Sequence, residues 1–265
     1  MIISRIISLI FKKLYNALND ILEMLRHISR AAYLVVNTLS TVRYIPNVGK
    51  IIFKEMWIIG IGSIPLVIAA AVFLGGETVL QTEFQFRGIV PVRYLGMAVC
   101  KALITELCPV LISFVVSSRI ATSIAAEIGT MKTAEQIDAM KCLNLDPFKY
   151  LVMPKLSACV VMLPALVVIG ELAAFIASIT VAVLFIDITP FTYIQGFRLF
   201  FSPFELLTGI FKSAIFGLII CFTGAYCGLQ TNGGASGVGT STTNAVVISA
   251  IMILISDFSI GYLLK

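Results

Sequence analysis

Residues 127–155 read EIGTMKTAEQIDAMKCLNLDPFKYLVMPK and lie between two long apolar runs of the chain. Thr133 followed by Gln136 three positions later matches a capping box, which predicts that a short helix begins there. Asp146 followed by Pro147 predicts a second helix start, because an Asp cap and a first-turn proline are typical of helix N-termini. The apolar stripe of the first short helix would be Ile137, Met140 and Leu143. We therefore expect a rigid amphipathic helix between two membrane spans; the alternative is a solvated loop helix without a partner.

The composition of the 265-residue chain is that of a membrane protein. Apolar residues make up 59% of it and charged residues only 12%, about half of the ~25% that is usual in soluble domains. So few charges cannot coat the surface of an ordinary soluble enzyme, and the high hydrophobicity excludes a disordered chain. The length fits one compact membrane domain.

Five apolar runs are long enough to cross a hydrocarbon core of ~30 Å as helices. They cover approximately residues 56–76, 94–126, 156–186, 204–229 and 243–264. Pro65 predicts a kink in the first run. The third run exceeds one crossing and falls short of two, which indicates one long tilted helix. The predicted fold class is an all-α polytopic membrane protein with five transmembrane helices.

Residues 1–55 hold eight of the nineteen basic residues, with apolar residues at helical spacing between them. This pattern favours an amphipathic helix lying on the membrane surface, and the alternative is a poorly ordered cytoplasmic tail. We therefore divide the chain into a basic amphipathic interfacial segment, residues 1–55, and a transmembrane domain, residues 56–265.

The distribution of positive charge predicts the orientation of the spans. If the N-terminus is cytoplasmic, the inside segments carry the eight basic residues above and Lys132, Lys141, Lys149 and Lys155. The outside segments then carry Arg87, Arg93, Arg198 and Lys265. Because Lys and Arg accumulate on the cytoplasmic side, we expect a cytoplasmic N-terminus and an external C-terminus.

The sequence lacks the patterns of a metal, nucleotide or hydrolase site. It has one His and six Cys without CxxC spacing, which leaves little for a zinc site. The glycine-rich run at 233–239 has no P-loop lysine, so we interpret it as a flexible turn in which Thr240–Thr243 cap the fifth span. No GxSxG motif and no block of like charges occurs. We predict no metal, no cofactor and no nucleic-acid partner.

Several charged residues fall inside the apolar runs. Lys212 and Asp257 lie at similar depth in antiparallel spans, and pairing would lower the cost of each charge in the membrane. The alternative is that each snorkels separately to the head groups. Glu106, Glu171 and Asp257 would suit a proton relay, so a proton-coupled secondary transporter is the alternative function.

The run ELCPVLISFVVSSRIATSIAAEIGTMKTAEQIDAMKCLNLDPFKYLVMPK, residues 106–155, resembles the core of the MlaE/YrbE family of lipid ABC-transporter permeases. The resemblance continues through LP at 163–164, GIFKSAIFG at 209–217, GGASGVGTSTTNAVV at 233–247 and the pair Asp257-Phe258. It covers about residues 56–265. The first 50 residues resemble the family only in being basic and amphipathic.

This resemblance implies a homodimer of five-span subunits in the bacterial inner membrane, or in a plastid inner envelope. The implied partners are a cytoplasmic ABC ATPase dimer and a periplasmic ring of MCE-domain proteins, and a small accessory cytoplasmic subunit is a further candidate. The cargo would be phospholipid or a related lipid, moved between the inner membrane and the outer membrane or envelope. The chain itself would be a non-catalytic membrane subunit. The segment 127–145 would be the coupling helix, with contact residues Glu127, Thr130, Met131, Thr133, Glu135, Gln136, Asp138 and Lys141.

The start of the second span is the predicted lipid site. The family often has Arg at the position of Thr105 and Gly at the position of Cys108. Lys101 lies one helical turn before Thr105 on the same face, so it is a candidate to replace the missing cation. We expect lipid tails against Leu80 and Leu107, and the head group near Gln81, Lys101 and Glu106.

Overall fold

The computed structural model describes residues 48–86, 90–91 and 94–263, together with residues 29, 33–38 and 40. The predicted interfacial helix over residues 1–55 therefore falls mostly outside the described residues. The described chain is helical almost throughout and contains no strand. The prediction of an all-α fold is confirmed.

Five helices are long and apolar enough to cross a membrane, which confirms the predicted number of spans within the described residues. They are α1 (Gly49–Phe86), α2 (Leu95–Thr133), α4 (Phe148–Ile186), α6 (Pro203–Gln230) and α7 (Gly234–Leu263). Two short helices connect them: α3 (Gln136–Cys142) follows α2, and α5 (Pro190–Phe200) follows α4.

Because successive spans run in opposite directions, the connections between them lie alternately at two opposite ends of the molecule. The start of α1, helix α3 and the turn at 231–233 lie at one end, which we call the α3 side. The connection at 87–94 and helix α5 lie at the opposite end, the α5 side. The predicted orientation places the α3 side in the cytoplasm.

Breaks in regular helix occur next to prolines. Helix α1 consists of Gly49–Gly60 and Ile64–Phe86, joined by a 3₁₀ turn at Ile61–Ser63, so the kink predicted at Pro65 lies just before it. In α2, a π turn at Leu103–Leu107 precedes Cys108 and Pro109. Such turns re-aim side chains and are frequent at functional sites.

Close backbone contacts at glycines hold the spans together. A Cβ on Gly75 of α1 would collide with the carbonyl oxygen of Ala174 in α4. A Cβ on Gly217 of α6 would lie 2.7 Å from the carbonyl oxygen of Cys159, also in α4. Small residues permit this approach, and close packing is the main attraction between helices in lipid. Helix α4 is therefore fixed between α1 and α6.

The fifth span begins earlier than the sequence suggests. Helix α7 starts at Gly234 rather than near residue 243, so the prediction of a flexible turn over the glycine-rich run is wrong. The hydroxyl groups of Thr240 and Thr242 donate to carbonyls of Gly237 and Gly239 inside the helix, and Thr243 does likewise, so these threonines are not caps. The turn is confined to residues 231–233, and the backbone is left-handed at Gly233 and at the first helical residue, Gly234, where φ is +88° and +68°.

Candidate functional site

The short helix predicted between the second and third spans is present, but the predicted capping box is wrong. Helix α3 begins at Gln136, after Glu135 adopts a left-handed conformation with φ of 57°. The Thr133 hydroxyl donates to the Thr130 carbonyl, 3.1 Å away. Thr133 is the last residue of α2, so its side chain bonds within that helix and does not cap α3.

The second predicted helix start is confirmed. The backbone N–H of Phe148 donates to Oδ1 of Asp146 at 2.9 Å, and Pro147 lies between them. This bond satisfies one of the free donors at the beginning of α4. The connection that contains α3 is therefore bounded by a sharp turn at Glu135 and a capped helix start at Asp146.

Helix α3 presents a mostly polar surface away from the spans. Ile137 is buried, whereas Leu143 is 72% exposed, so the predicted apolar stripe packs only at its beginning. Lys141 pairs with Asp138 at 2.8 Å and lowers the pKa of that carboxyl. Of the predicted coupling residues, Met131 is half-buried and the others are exposed: Glu127, Thr130, Thr133, Glu135, Gln136, Asp138 and Lys141.

An ion-pair cluster that the sequence analysis missed lies beside this connection. Lys155 of α4 is buried, and its Nζ lies 2.6 Å from Glu127 of α2 and 2.9 Å from Glu55 of α1. We call these three residues the α3-side triad. A cavity of about 70 Å³ adjoins it and is also lined by Arg119 and Ser123. Glu127 thus forms an ion pair with Lys155 inside the protein, although about half of its side chain is exposed.

A second cluster lies in the half of the spans nearer the α5 side. Nζ of Lys212 in α6 lies 2.9 Å from Asp257 of α7, which confirms the predicted ion pair, and 2.8 Å from Glu106 of α2. We call these residues the α5-side triad. Lys212 also donates to the carbonyl of Thr105 at 3.3 Å. That carbonyl is available because Pro109, four residues later, has no N–H to donate.

The predicted lipid-site residues lie on α1 and α2, in the half of these spans nearer the α5 side. The Glu106 side chain is 53% exposed, although Lys212 is buried. Lys101 is exposed, Leu107 is half-buried, and Leu80 and Gln81 are exposed near the end of α1 at the same side. Glu106 also faces α7, since its Oε1 lies 3.9 Å from the Cβ position of Gly261. Lipid binding by these residues stays a prediction.

Glu171 does not join either triad. It is buried in α4, and its Oε1 has no hydrogen-bond partner among the described residues. This oxygen lies 3.5 Å from the Cβ position of Gly209 in α6. Glu106 and Asp257, in contrast, share Lys212. The three carboxylates of the alternative proton relay are therefore divided between a triad and a separate buried position.

Comparison with known proteins identifies the family of this chain. The family described as Permease MlaE matches residues 52–263. A probable ABC transporter permease protein of Rickettsia bellii is 37% identical over 211 residues, which are 80% of this chain and 82% of that protein. Similar permease proteins of Synechocystis and Pyropia yezoensis are each 35% identical, over 80% and 79% of this chain and 80% of their own lengths. The chain therefore belongs to the MlaE permease family and is a multi-pass membrane subunit of an ABC transporter.

Proposed function

We propose that this permease moves phospholipid or a related lipid between the inner membrane and the outer membrane or envelope, driven by a separate ATPase. The observation that carries the proposal is helix α3, which connects two spans and leaves the charged residues Asp138 and Lys141 exposed. A carrier driven by an ion gradient needs no such docking surface. The chain acts as the non-catalytic subunit, and ATP is hydrolysed by the partner.

The ATPase dimer binds at α3. Glu135, Asp138 and Lys141 are exposed there, and the helix is bounded by the turn at Glu135 and the cap at Asp146. A short helix with fixed ends transmits a displacement to the spans, whereas a loose loop would absorb it. The α3-side triad supports this role, because it joins α2 and α4 next to the docking surface.

The lipid site lies at the start of α2 on the α5 side. Leu107 and Leu80 offer apolar contact for acyl chains, and Glu106 and Lys101 are both exposed and lie five residues apart on α2. An exposed carboxylate next to a lysine is complementary to a head group that carries both charges, as zwitterionic phospholipids do. Lys101 takes the place of the arginine that the family often has at the next turn.

The assembly is a homodimer in the bacterial inner membrane or a plastid inner envelope. The N-terminus and α3 face the cytoplasm, where the ATPase and any small accessory subunit bind. The C-terminus faces the periplasm, where a ring of MCE-domain proteins receives or delivers the lipid. The excess of Lys and Arg at the α3 side supports this orientation.

Photo-crosslinking at position 107 tests the proposal. A photoreactive residue there, in the complex with its ATPase, is expected to capture phospholipid, and Leu107→Arg is expected to block transport while leaving ATPase binding intact. The matched control is position 176, because Ile176 is exposed on α4 and is not one of the residues assigned to the site. Capture of lipid at 176 but not at 107 would refute the assignment of the cavity.

A further inference from the structure

Helix α1 is longer than one membrane crossing requires. It has 38 residues, which is about 57 Å at 1.5 Å per residue, whereas the hydrocarbon core is ~30 Å thick. Its second part, Ile64–Phe86, has 23 residues and is about 35 Å long by the same rise. This second part crosses the core on its own. The first part, Gly49–Gly60, therefore extends into the head-group region on the α3 side.

The two faces of this first part have different surroundings. On the face toward the protein, Glu55 is paired with Lys155 at 2.9 Å and Ile59 is buried. Positions 50, 53, 54 and 57 are three, one and three residues apart, so they share the opposite face of the helix. Their side chains are all exposed. We call them the α1 stripe: Lys50, Phe53, Lys54 and Trp57.

The α1 stripe has aromatic rings on its inner part and ammonium groups on its outer part. Phe53 and Trp57 are 71% and 61% exposed, and aromatic rings, Trp above all, gather at the boundary between hydrocarbon and head groups. Lys50 lies seven positions before Trp57, which is about 10 Å along the helix. The head-group layer is about 5–8 Å thick on each side. When the rings lie at the hydrocarbon boundary, the ammonium groups therefore reach the phosphates.

Within the part of the chain that the structure describes, no carboxylate neutralises the lysines of the stripe. Glu55, which is adjacent to Lys54 in sequence, bonds with Lys155 on the other face, and neither Lys50 nor Lys54 forms an ion pair with another described residue. Two lysines near a membrane surface attract anionic lipids. A zwitterionic head group carries its own cation, so these lysines attract it less.

The stripe is continuous with an apolar surface farther along the same span. Ile61, Ile68 and Val72 of α1 are exposed large apolar side chains, and exposed apolar side chains inside a hydrocarbon core contact acyl chains. A lipid whose phosphate lies at Lys50 therefore finds aromatic and then aliphatic side chains along its acyl chains. This continuity favours a lipid over an acidic protein as the occupant of the stripe.

We infer that the α1 stripe binds anionic phospholipid of the leaflet on the α3 side, with phosphates at the two lysines and acyl chains along Phe53 and Trp57. The site is separate from the proposed cargo site near Leu107, which lies toward the α5 side, and the inference does not depend on what the permease carries. The bound lipid holds the helix segment whose other face pairs with Lys155. It therefore supports the α3-side triad.

The single tryptophan makes the test specific. Trp57 is the one Trp of the chain, so tryptophan fluorescence of the purified full chain reports on this site. The chain is reconstituted in vesicles of phosphatidylcholine and phosphatidylglycerol, in which one lipid or the other carries bromine atoms on its acyl chains. Bromine quenches a neighbouring indole. At equal mole fraction, we expect brominated phosphatidylglycerol to quench Trp57 more strongly than brominated phosphatidylcholine.

The preference for phosphatidylglycerol depends on the two lysines. The double variant Lys50→Gln, Lys54→Gln is expected to lower the relative affinity for phosphatidylglycerol about fivefold for each lysine, because a lysine near an anionic leaflet contributes an attraction of that order. The double variant Lys50→Arg, Lys54→Arg keeps both charges and is expected to keep the preference. Lys141→Gln is the matched control, because Lys141 is an exposed lysine outside the stripe.

Three results would overturn the inference. One is equal quenching of Trp57 by the two brominated lipids in the unmodified protein. Another is an equal loss of the preference in Lys141→Gln. The third is the absence of quenching by either lipid, which would show that protein covers Trp57. The proposed function stands or falls separately, on the capture of lipid at position 107.

Discussion

The ammonium group of Lys155 lies 2.6 Å from the carboxylate of Glu127, so an ion pair joins the two ends of the connection that contains α3. Glu127 lies one and a half turns before the end of α2, and Lys155 lies in the second turn of α4. The same ammonium group lies 2.9 Å from Glu55 of α1. Displacement of α3 by a bound ATPase would therefore act on three spans together.

Replacing Lys155 by methionine is expected to destabilise the protein, because Glu55 and Glu127 would then face each other without a cation. Loss of one partner from a buried ion pair costs about 3 kcal/mol or more. Thermal unfolding of the detergent-solubilised protein measures the effect. The control is Lys141→Met, since Lys141 and Asp138 form an exposed pair that contributes about 0–1 kcal/mol. Equal melting temperatures for the two variants would refute a structural role for the α3-side triad.

The α3-side triad could not be predicted from the sequence. Glu55 and Lys155 are 100 residues apart in the chain, whereas helical spacing rules relate residues three or four positions apart. From the sequence alone, Lys155 is interpreted as one more cytoplasmic cation, and Glu55 is interpreted as part of a basic surface segment. Only the packing of α1 against α4 brings them together.

Charge reversal on α3 is expected to weaken ATPase binding without unfolding the membrane domain. Glu135→Lys changes an exposed side chain in the turn before α3, and Asp138→Lys changes one on α3 itself. Each reversal opposes a complementary surface on the partner. Co-purification of the ATPase with the tagged permease measures the effect. Arg198→Glu reverses an exposed charge on α5, at the opposite end, and is expected to leave recovery unchanged. Full recovery of the ATPase with both α3 variants would exclude α3 as the docking site.

The α5-side triad predicts that two single variants lower the free energy of unfolding by different amounts. Lys212→Ala leaves Glu106 and Asp257 without their shared cation, whereas Asp257→Ala leaves Lys212 paired with Glu106. We therefore expect Lys212→Ala to lower the free energy of unfolding by about 3 kcal/mol, and Asp257→Ala to lower it less. The double variant should cost less than the sum of the two. Strictly additive losses in chemical unfolding would show that the two residues do not interact in the membrane.

The sequence predicts the pairing of Lys212 with Asp257 because both residues lie in long apolar runs and antiparallel spans bring them to similar depth. The contact of the third member, Glu106, with Lys212 could not be predicted in this way, because the position of Glu106 depends on the π turn at Leu103–Leu107. The first residues of α7 could not be predicted as helical either, since glycine and threonine have low helix propensity in water. In a membrane protein the backbone must form its hydrogen bonds internally, and this requirement extends the helix through the glycine-rich run.

The orientation of the spans can be tested with the cysteines that the protein already has. Cys142 on α3 is exposed and the other five cysteines are buried, so a membrane-impermeant thiol reagent should label the unmodified protein only after spheroplasts are lysed. A cysteine added after Lys265 should react in intact spheroplasts, because five spans place the C-terminus opposite a cytoplasmic α3 side. The two thiols lie on opposite sides of the membrane in this arrangement and serve as controls for each other. Labelling of Cys142 in intact spheroplasts, with the added cysteine protected until lysis, would reverse the orientation and place the docking helix outside the reach of a cytoplasmic ATPase.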